Sequence, residues 1–491
     1  MPRGIDLEHQ RIKLEKWQRV FVNRSINMGS IKAIGFDMDH TLVQYNRDAF
    51  ETLAFRATLR KFIDAGYPEE LNELKFDPSS VIRGLLVDRE RGNLLKVDGH
   101  KYVKTAFHGK RRLEKEDRRK LYNAASFKAQ NLLSVDTFFA LSEVHLFTEI
   151  VDYMANNPNK IQKTFKEVYD DLRKFIDLSH SDGTIKKEVL RFPEKFVIRD
   201  KYLPQALVRM IEGDKLLFLL TNSDWAYTNI VMNYILNDAH PDLTNWRDYF
   251  EYVIVSSGKP NFFTGQSPFQ KVDVNTNKTS EYSGALIPEN VYAGGNAELF
   301  QNLTTYHGDE IMYVGDHIYG DIIRSKGLFN WRTMLVVQEL DSELPKLERN
   351  KAKLQQINML AVEREAVDEE IQILRSRIAA AQKQIKVAAN AANSKKAKYL
   401  SKETEKFAEK LSEKENLFDE LDQTIRKLII EHEHTIHSGW GELMKVGLEK
   451  SRFAQQVEQY ACLYTGRVSN LRFYSPFKRF VSTHDLLPHD L

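Results

Sequence analysis

Residues 31–41 read Ile31-Lys32-Ala33-Ile34-Gly35-Phe36-Asp37-Met38-Asp39-His40-Thr41. The run from Ile31 to Phe36 carries apolar side chains on both alternating faces, as a strand does when helices cover both sides of its sheet. It ends at Asp37. Side chains two apart on an extended chain project the same way, so Asp37 and Asp39 leave the strand end as a pair of carboxylates. Four later runs have the same texture: Leu216–Leu220, Tyr252–Val255, Ile311–Val314 and Thr333–Val337. Helix-like segments lie between several of them. This alternation predicts an α/β fold with a doubly wound parallel sheet, built from residues 1–44 and 207–340.

The interval between the first two runs is too long for one crossover. Within it, Val81–Asp88, Asn93–Val97 and Tyr102–Phe107 read as strands, separated by the turn signals Arg91-Gly92-Asn93 and Asp98-Gly99-His100. Helical periodicity follows over Phe138–Tyr153 and Phe165–Leu178. Residues 45–206 are therefore expected to form an inserted α+β cap over the active end of the sheet.

The texture changes near Asp341. Val367, Ile371, Leu374, Ile378, Ala381, Ile385, Ala388 and Ala392 alternate spacings of four and three. After the interruption Asn393-Ser394-Lys395 come Phe407, Leu411, Phe418, Leu421, Ile425 and Leu428, with Lys414 out of pattern. Two heptad segments around a polar break predict an antiparallel helical hairpin over 341–432, rather than an ordinary pair of surface helices. Residues 433–491 are expected to pack on the core as a C-terminal helical segment.

The chain has 491 residues, 42% of them hydrophobic, enough for two or three domains. Its 29% of charged residues sum to a net charge of only +2, which excludes the basic excess of a nucleic-acid binder. Glutamates interleave the lysines of Lys395–Lys410, as on a solvated helix face. With Cys462 as the single cysteine, neither an internal disulfide nor a cysteine-based metal site can form. The first residues carry charges where a signal peptide needs an apolar stretch, and no apolar run reaches the ~18 residues that span a bilayer. The expectation is a cytoplasmic protein without nucleic-acid or membrane partners.

Four elements carry chemistry, each just past a predicted strand. Of the first pair, one carboxylate can attack phosphorus while the other protonates a leaving oxygen. Alone, Asp-x-Asp-x-Thr arises by chance in about one chain of this size in ten. Thr221-Asn222-Ser223 offers a hydroxyl and an amide to phosphate oxygens, and also suits a helix N-cap. Lys259, in Ser257-Gly258-Lys259-Pro260, could neutralise phosphate, although an isolated lysine in such a loop is usually just surface. Gly315-Asp316-His317-Ile318-Tyr319-Gly320-Asp321 supplies two more carboxylates, suited to Mg2+ or to a turn.

The joint pattern is far more specific than any member. Its order and residue types resemble the haloacid dehalogenase superfamily of phosphohydrolases. The resemblance implies that Asp37 becomes a phosphoaspartate and that Asp39 acts as general acid and then base. It further implies that Thr221, Asn222 and Lys259 bind phosphate, and that Asp37, the Asp39 carbonyl and Asp316 hold Mg2+ with support from Asp321. Phe21-Val22-Asn23-Arg24-Ser25, Arg83-Gly84-Leu85, Gly92-Asn93-Leu94-Leu95-Lys96-Val97-Asp98, Phe453-Ala454-Gln455-Gln456-Val457 and Tyr474-Ser475-Pro476-Phe477 narrow it. From Phe21 to His489, outside the heptads, the chain resembles the cytosolic purine 5′-nucleotidases.

That family hydrolyses purine nucleoside monophosphates such as GMP and IMP, and can pass phosphate to a nucleoside instead of water. The resemblance implies that Arg173, Asp177, His180 and Lys186 read the base; it also implies a stacking aromatic, whose place around Phe127–Phe139 the sequence leaves open. A carboxylate at Asp177 accepts from N1–H of hypoxanthine or guanine, a donor adenine lacks. Tyr319 and Lys326 match a regulatory nucleotide site, and an even-numbered homo-oligomer (dimer or tetramer) is implied. His40 departs from the tyrosine common in the family, and the heptad region is an insertion. Two rival readings are a phosphatase of phosphosugars or other small phosphomonoesters and a non-catalytic coiled-coil scaffold.

Overall fold

The computed structural model describes residues 14–123, 132–391 and 393–482. They divide into two compact units, one of residues 1–344 with 443–491 and one of residues 345–442.

The larger unit is built on a ten-stranded sheet. Its order is Phe21–Val22, Leu463–Thr465, Arg332–Val336, Ile311–Gly315, Ala33–Phe36, Leu216–Leu220, Tyr252–Val255, Val291–Gly294, Phe269–Val272 and Thr279–Glu281. The run from Leu463–Thr465 to Val291–Gly294 is parallel throughout. Phe21–Val22 on one edge and the pair Phe269–Val272 and Thr279–Glu281 on the other join antiparallel. Side-chain alternation sorts each strand into two cores. Ile34, Phe36, Leu217, Leu219, Met312 and Val314 enter one, with Leu207 and Val231 from flanking helices. Ala33, Phe218, Leu220, Ile311 and Tyr313 enter the other, with Phe263, Phe300 and Trp331. Covered faces explain why these strands read as unbroken apolar runs. Gly35 marks a close approach: a Cβ there would lie 2.3 Å from the Phe218 ring.

From Ala33–Phe36 the chain winds outward one way through Leu216–Leu220, Tyr252–Val255 and Val291–Gly294. It then returns to place Ile311–Gly315 on the other flank of the first strand. The order of strands reverses there, and a crevice opens past their carboxyl ends. Two parallel strands escaped the sequence reading. Val291–Gly294 is short and runs into paired glycines, and Leu463–Thr465 has three residues. The second corrects the helical reading of 433–491, where the helix Arg452–Tyr460 is followed by a strand that extends the sheet.

Residues 45–206 lie in this same unit. They hold the helices Arg47–Asp64, Ala140–Asn156, Phe165–Ser181 and Thr184–Arg191 and a five-stranded antiparallel sheet. Its order is Arg111–Arg112, Val103–His108, Asn93–Val97, Leu86–Asp88 and Leu132–Ser134. The first predicted strand begins later than Val81, at Leu86.

The smaller unit contains two long helices, Lys351–Asn390 and Ser394–Ile436. Ion pairs Lys353–Glu431, Arg364–Asp422 and Lys414–Glu370 show that they run antiparallel. Val367, Ile371, Leu374, Ala381 and Ala388 are buried on one helix, Leu421 and Ile425 on the other. Ala392 lies outside the described residues. Asn393 turns the chain, its side chain accepting from Lys396 N at 3.2 Å.

Candidate active site

Asp37 leaves its strand into the crevice, with its backbone N–H donating to Val314 O at 2.9 Å. Its Oδ1 accepts from Met38 N at 2.8 Å and meets Lys259 Nζ at 2.9 Å. Lys259 also donates to Asp321 Oδ1 at 2.9 Å and to the Tyr313 hydroxyl at 2.7 Å, and that hydroxyl donates to Leu220 O. The buried ammonium thus spends its donors on two carboxylates and a phenol. Burial alone would lower its pKa, but Asp321 and Asp37 outweigh it and hold the value well above that of a free lysine.

Asp37, Asp316 and Asp321 can each turn one oxygen so that all three lie within 4.8 Å of one another. Burial raises Asp37 to about 7 against the pull of Lys259. Burial also raises Asp316 well above the usual carboxylate range, with Arg83 opposing. Lys259 serves Asp37 and Asp321, and Arg83, 3.8 Å from Asp316 Oδ2, is shared with Glu339, so the cluster is short of positive charge, and its donors are all hard oxygens. This fits Mg2+, which takes one or two carboxylates, waters and phosphate oxygens. Gly315 permits the arrangement, because a Cβ there would lie 2.4 Å from Asp321 Oδ2.

Asp39 is held apart from this cluster. Its Oδ1 accepts from the Tyr45 hydroxyl at 2.5 Å and its Oδ2 from Ser223 Oγ at 2.7 Å. Burial raises its pKa, and those two donors oppose the shift. A carboxyl inclined to keep its proton, two residues from a nucleophile, suits a general acid. His40 has φ +58° and stacks on Phe138 with ring centroids 4.8 Å apart; burial drives its pKa down to about 3, so it stays neutral.

Arg83 is fully buried and grips Glu339 through both ends of its guanidinium at 2.7 Å. It also donates to Asp316 O at 3.0 Å and lies 4.1 Å from the Phe138 ring centre. This arginine therefore fixes the loop that carries Asp316.

A cavity of about 210 Å³ opens beside these groups, walled by Asp37, Asp39, Asn222, Lys259, Asp316 and Asp321, with Thr137, Phe139, His317 and Tyr319. Thr221 is fully buried behind it, its hydroxyl accepting from Ser223 N at 3.1 Å. Asn222 reaches the wall, yet its amide is engaged with the Lys259 loop: Oδ1 accepts from Lys259 N at 2.7 Å and Nδ2 donates to Lys259 O at 2.9 Å.

The four base-reading candidates stand off this wall. Arg173 pairs with Asp177 at 2.5 Å and with Glu143 at 2.6 Å. Lys186 pairs with Asp224, the N-cap of the helix Trp225–Leu236. His180 meets Phe139 edge-on, its ring centroid 6.0 Å away, and so touches the wall through that ring. Phe127 lies outside the described residues. Tyr319 belongs to the wall itself, whereas Lys326 donates to Tyr460 O at 3.2 Å, near the end of the helix Arg452–Tyr460. Sequence reasoning gave no role to Tyr45, Arg83, Tyr313, His317 or Glu339. Arg83 and His317 stood in quoted motifs, Arg83-Gly84-Leu85 and Gly315-Asp316-His317-Ile318, without a stated task.

Residues 20–491 match the profile of the 5' nucleotidase family. A 5'-nucleotidase domain-containing protein of Dictyostelium discoideum is 25% identical over 99% of this chain and 77% of its own length. The 5'-nucleotidase domain-containing protein 2 of Rattus norvegicus is 30% identical over 66% of the chain and 60% of its own length. Its Homo sapiens counterpart is 29% identical over 66% and 64%. The chain thus spans less than two thirds of the two mammalian relatives. The motif order in the sequence, the crevice at the strand ends and the profile match agree, and the chain belongs to the 5' nucleotidase family of enzymes.

Proposed function

We propose that the chain is a cytoplasmic, Mg2+-dependent 5′-nucleotidase that hydrolyses GMP and IMP through a phosphoaspartate at Asp37. One observation carries the reading. Asp37, tied to Lys259, shares a crevice with Asp316 and Asp321 while Asp39 is held separately, two residues on. Asp37 attacks phosphorus as the bond to the 5′-oxygen breaks, and Asp39 gives that oxygen its proton. Water then attacks phosphorus, Asp39 takes back a proton, and the bond to Asp37 breaks to release phosphate. A nucleoside hydroxyl in place of water gives phosphotransfer. Bound Mg2+, held by Asp37, Asp316 and the Asp39 carbonyl with Asp321 in support, would neutralise phosphate oxygens. Lys259 adds charge, and Asn222 positions Lys259.

Phe139 on the cavity wall stacks on the base, and Arg173, Asp177, His180 and Lys186 supply its polar recognition. A nucleotide activator would meet Tyr319 and Lys326, and the active form is a dimer or tetramer. A second reading, a small phosphomonoester as substrate, is favoured by the distance of Arg173 and Asp177 from the cavity wall. Magnesium-dependent phosphate release from GMP, IMP, AMP, CMP, UMP and sugar phosphates separates the two, with and without ATP. Preference for GMP and IMP, lost in Asp177→Ala, supports the purine reading. Equal or better turnover of sugar phosphates overturns it and keeps the chemistry.

A further inference from the structure

The Asp316 side chain is buried and lines the cavity, and among the described residues its carboxylate accepts no hydrogen bond. Yet a guanidinium stands beside it, with Arg83 Nη1 3.8 Å from Asp316 Oδ2. At that range an arginine ordinarily closes on a carboxylate and makes two parallel bonds to it. Here Nη1 donates instead to the backbone carbonyl of Asp316 at 3.0 Å, while Nε and Nη2 take the two oxygens of Glu339 at 2.7 Å.

Glu339 is held firmly where it stands. It follows the strand Arg332–Val336 in a turn whose Val337 N–H donates to Thr465 O at 2.8 Å. The neighbouring Gln338 donates through Nε2 to His40 O at 2.7 Å, and Asp341 pairs with Arg467 at 2.7 Å. The guanidinium is confined as well, with the centres of the Phe138 and Phe453 rings 4.1 and 5.4 Å from its carbon. A planar fork settles on the carboxylate that meets it edge to edge. With Glu339 in place, that carboxylate is not Asp316.

We infer, on the reading of Asp316 as a Mg2+ ligand, that Glu339 is a positioning residue: it draws the fork of Arg83 to itself and so keeps the Asp316 carboxylate free for the cation. A metal entering the crevice needs an oxygen that no fixed positive charge has claimed. Arg83 still anchors the loop through the Asp316 carbonyl, and Glu339 lets it do so without closing on the side chain. Neutralising Glu339 alone makes Arg83 a rival of the metal, because Asp316 Oδ2 is then the next carboxylate oxygen beside the guanidinium. Neutralising both residues removes the rival.

The signal that free Mn2+ gives in electron paramagnetic resonance is lost on binding, so titrating the full chain with Mn2+, and competing with Mg2+, reads metal affinity without turnover. Glu339→Gln should weaken both ions by about 10–100-fold, as changes behind a metal ligand do. Glu339→Asp, which keeps the charge, should retain more affinity than Glu339→Gln. Arg83→Gln combined with Glu339→Gln should recover affinity to within about threefold of the parent, since a buried ion pair can be replaced by neutral groups at little cost. A residue that only braced the fold predicts the reverse, because the double variant has lost more bonds than the single one. Parent affinity in Glu339→Gln, or a double variant as weak as the single, overturns the role of Glu339 and leaves the metal site standing. Asp316→Asn tests the site itself: parent affinity in that variant, or no saturable binding by the parent, removes the metal reading and the role of Glu339 together.

Discussion

Asp39 and Arg83 show what single residues contribute. If Asp39 protonates the leaving oxygen, Asp39→Asn should slow nucleotide turnover about 10²–10⁴-fold. In the burst that forms the phosphoenzyme, where no water is yet activated, a substrate with a nitrophenolate leaving group, which needs no proton, should lose much less. Equal losses on both would remove the acid role. Asp37→Asn should abolish turnover of both substrates, by about 10³-fold or more, with an unchanged circular dichroism spectrum. Arg83→Met strands Glu339 beside the Asp316 loop, and removing one partner of a buried pair costs about 3–5 kcal/mol. Denaturant unfolding measures this, and Arg83→Lys should not rescue it, because an ammonium cannot bridge both oxygens. The aspartates of this site were legible in the sequence, since a strand end fixes where they point. Arg83 and Glu339 were not, because they meet across 256 residues of chain, and Tyr45, six residues past Asp39, was not because a lone tyrosine beyond the motif announces no partner. The pairing of Asn222 with the Lys259 loop was hidden for the same reason. An amide at a strand end reads as a phosphate ligand, and its bonds to the Lys259 backbone reach across 37 residues of chain.

At the scale of the element, the apolar strands declared themselves because both faces are covered, whereas Val291–Gly294 and Leu463–Thr465 are too short for a pattern to build. The helix Arg47–Asp64 holds a further element-scale property. Glu51 on this helix is buried and accepts from Ser142 N at 3.2 Å. Burial raises its pKa from 4.5 to about 7. A folded value above the unfolded one means the native state prefers the proton. The contribution is therefore fully present below about pH 4.5 and is lost as pH rises through 7. Glu51→Gln keeps the acceptor and cannot ionise. It should leave stability near pH 5 almost unchanged and raise it by up to about 3 kcal/mol near pH 8. Unfolding curves across that range test this, and a variant that tracks the parent at every pH would contradict it.

At the scale of the molecule, every group in the site belongs to the larger unit, and the sequence reading had already set the heptads apart as an insertion. Glu343 accepts from Leu443 N at 2.9 Å, so the two points where the hairpin departs and returns are neighbours. Replacing residues 345–442 by a short Gly-Ser linker should therefore leave phosphate release within about threefold of the parent. Loss of turnover in a folded excision variant would give the hairpin a catalytic part. Retained turnover would count against a purely structural protein built around its coiled coil. None of the described helices is long and apolar enough to cross a membrane, in keeping with the even spread of charge along the chain.

The sheet also sets a timetable. Strand Leu463–Thr465 seals the flank of Arg332–Val336 and itself receives Phe21–Val22, so one of the first strands made waits for one of the last. On the ribosome that wait spans the whole hairpin, roughly ten seconds or more at ordinary rates of synthesis. Through it the nascent chain holds a finished catalytic loop beside an open strand edge, the kind of surface that recruits other chains. The hairpin is made of local contacts and folds quickly during that interval. A chaperone that shields strand edges would be needed most between the emergence of Val336 and that of Leu463.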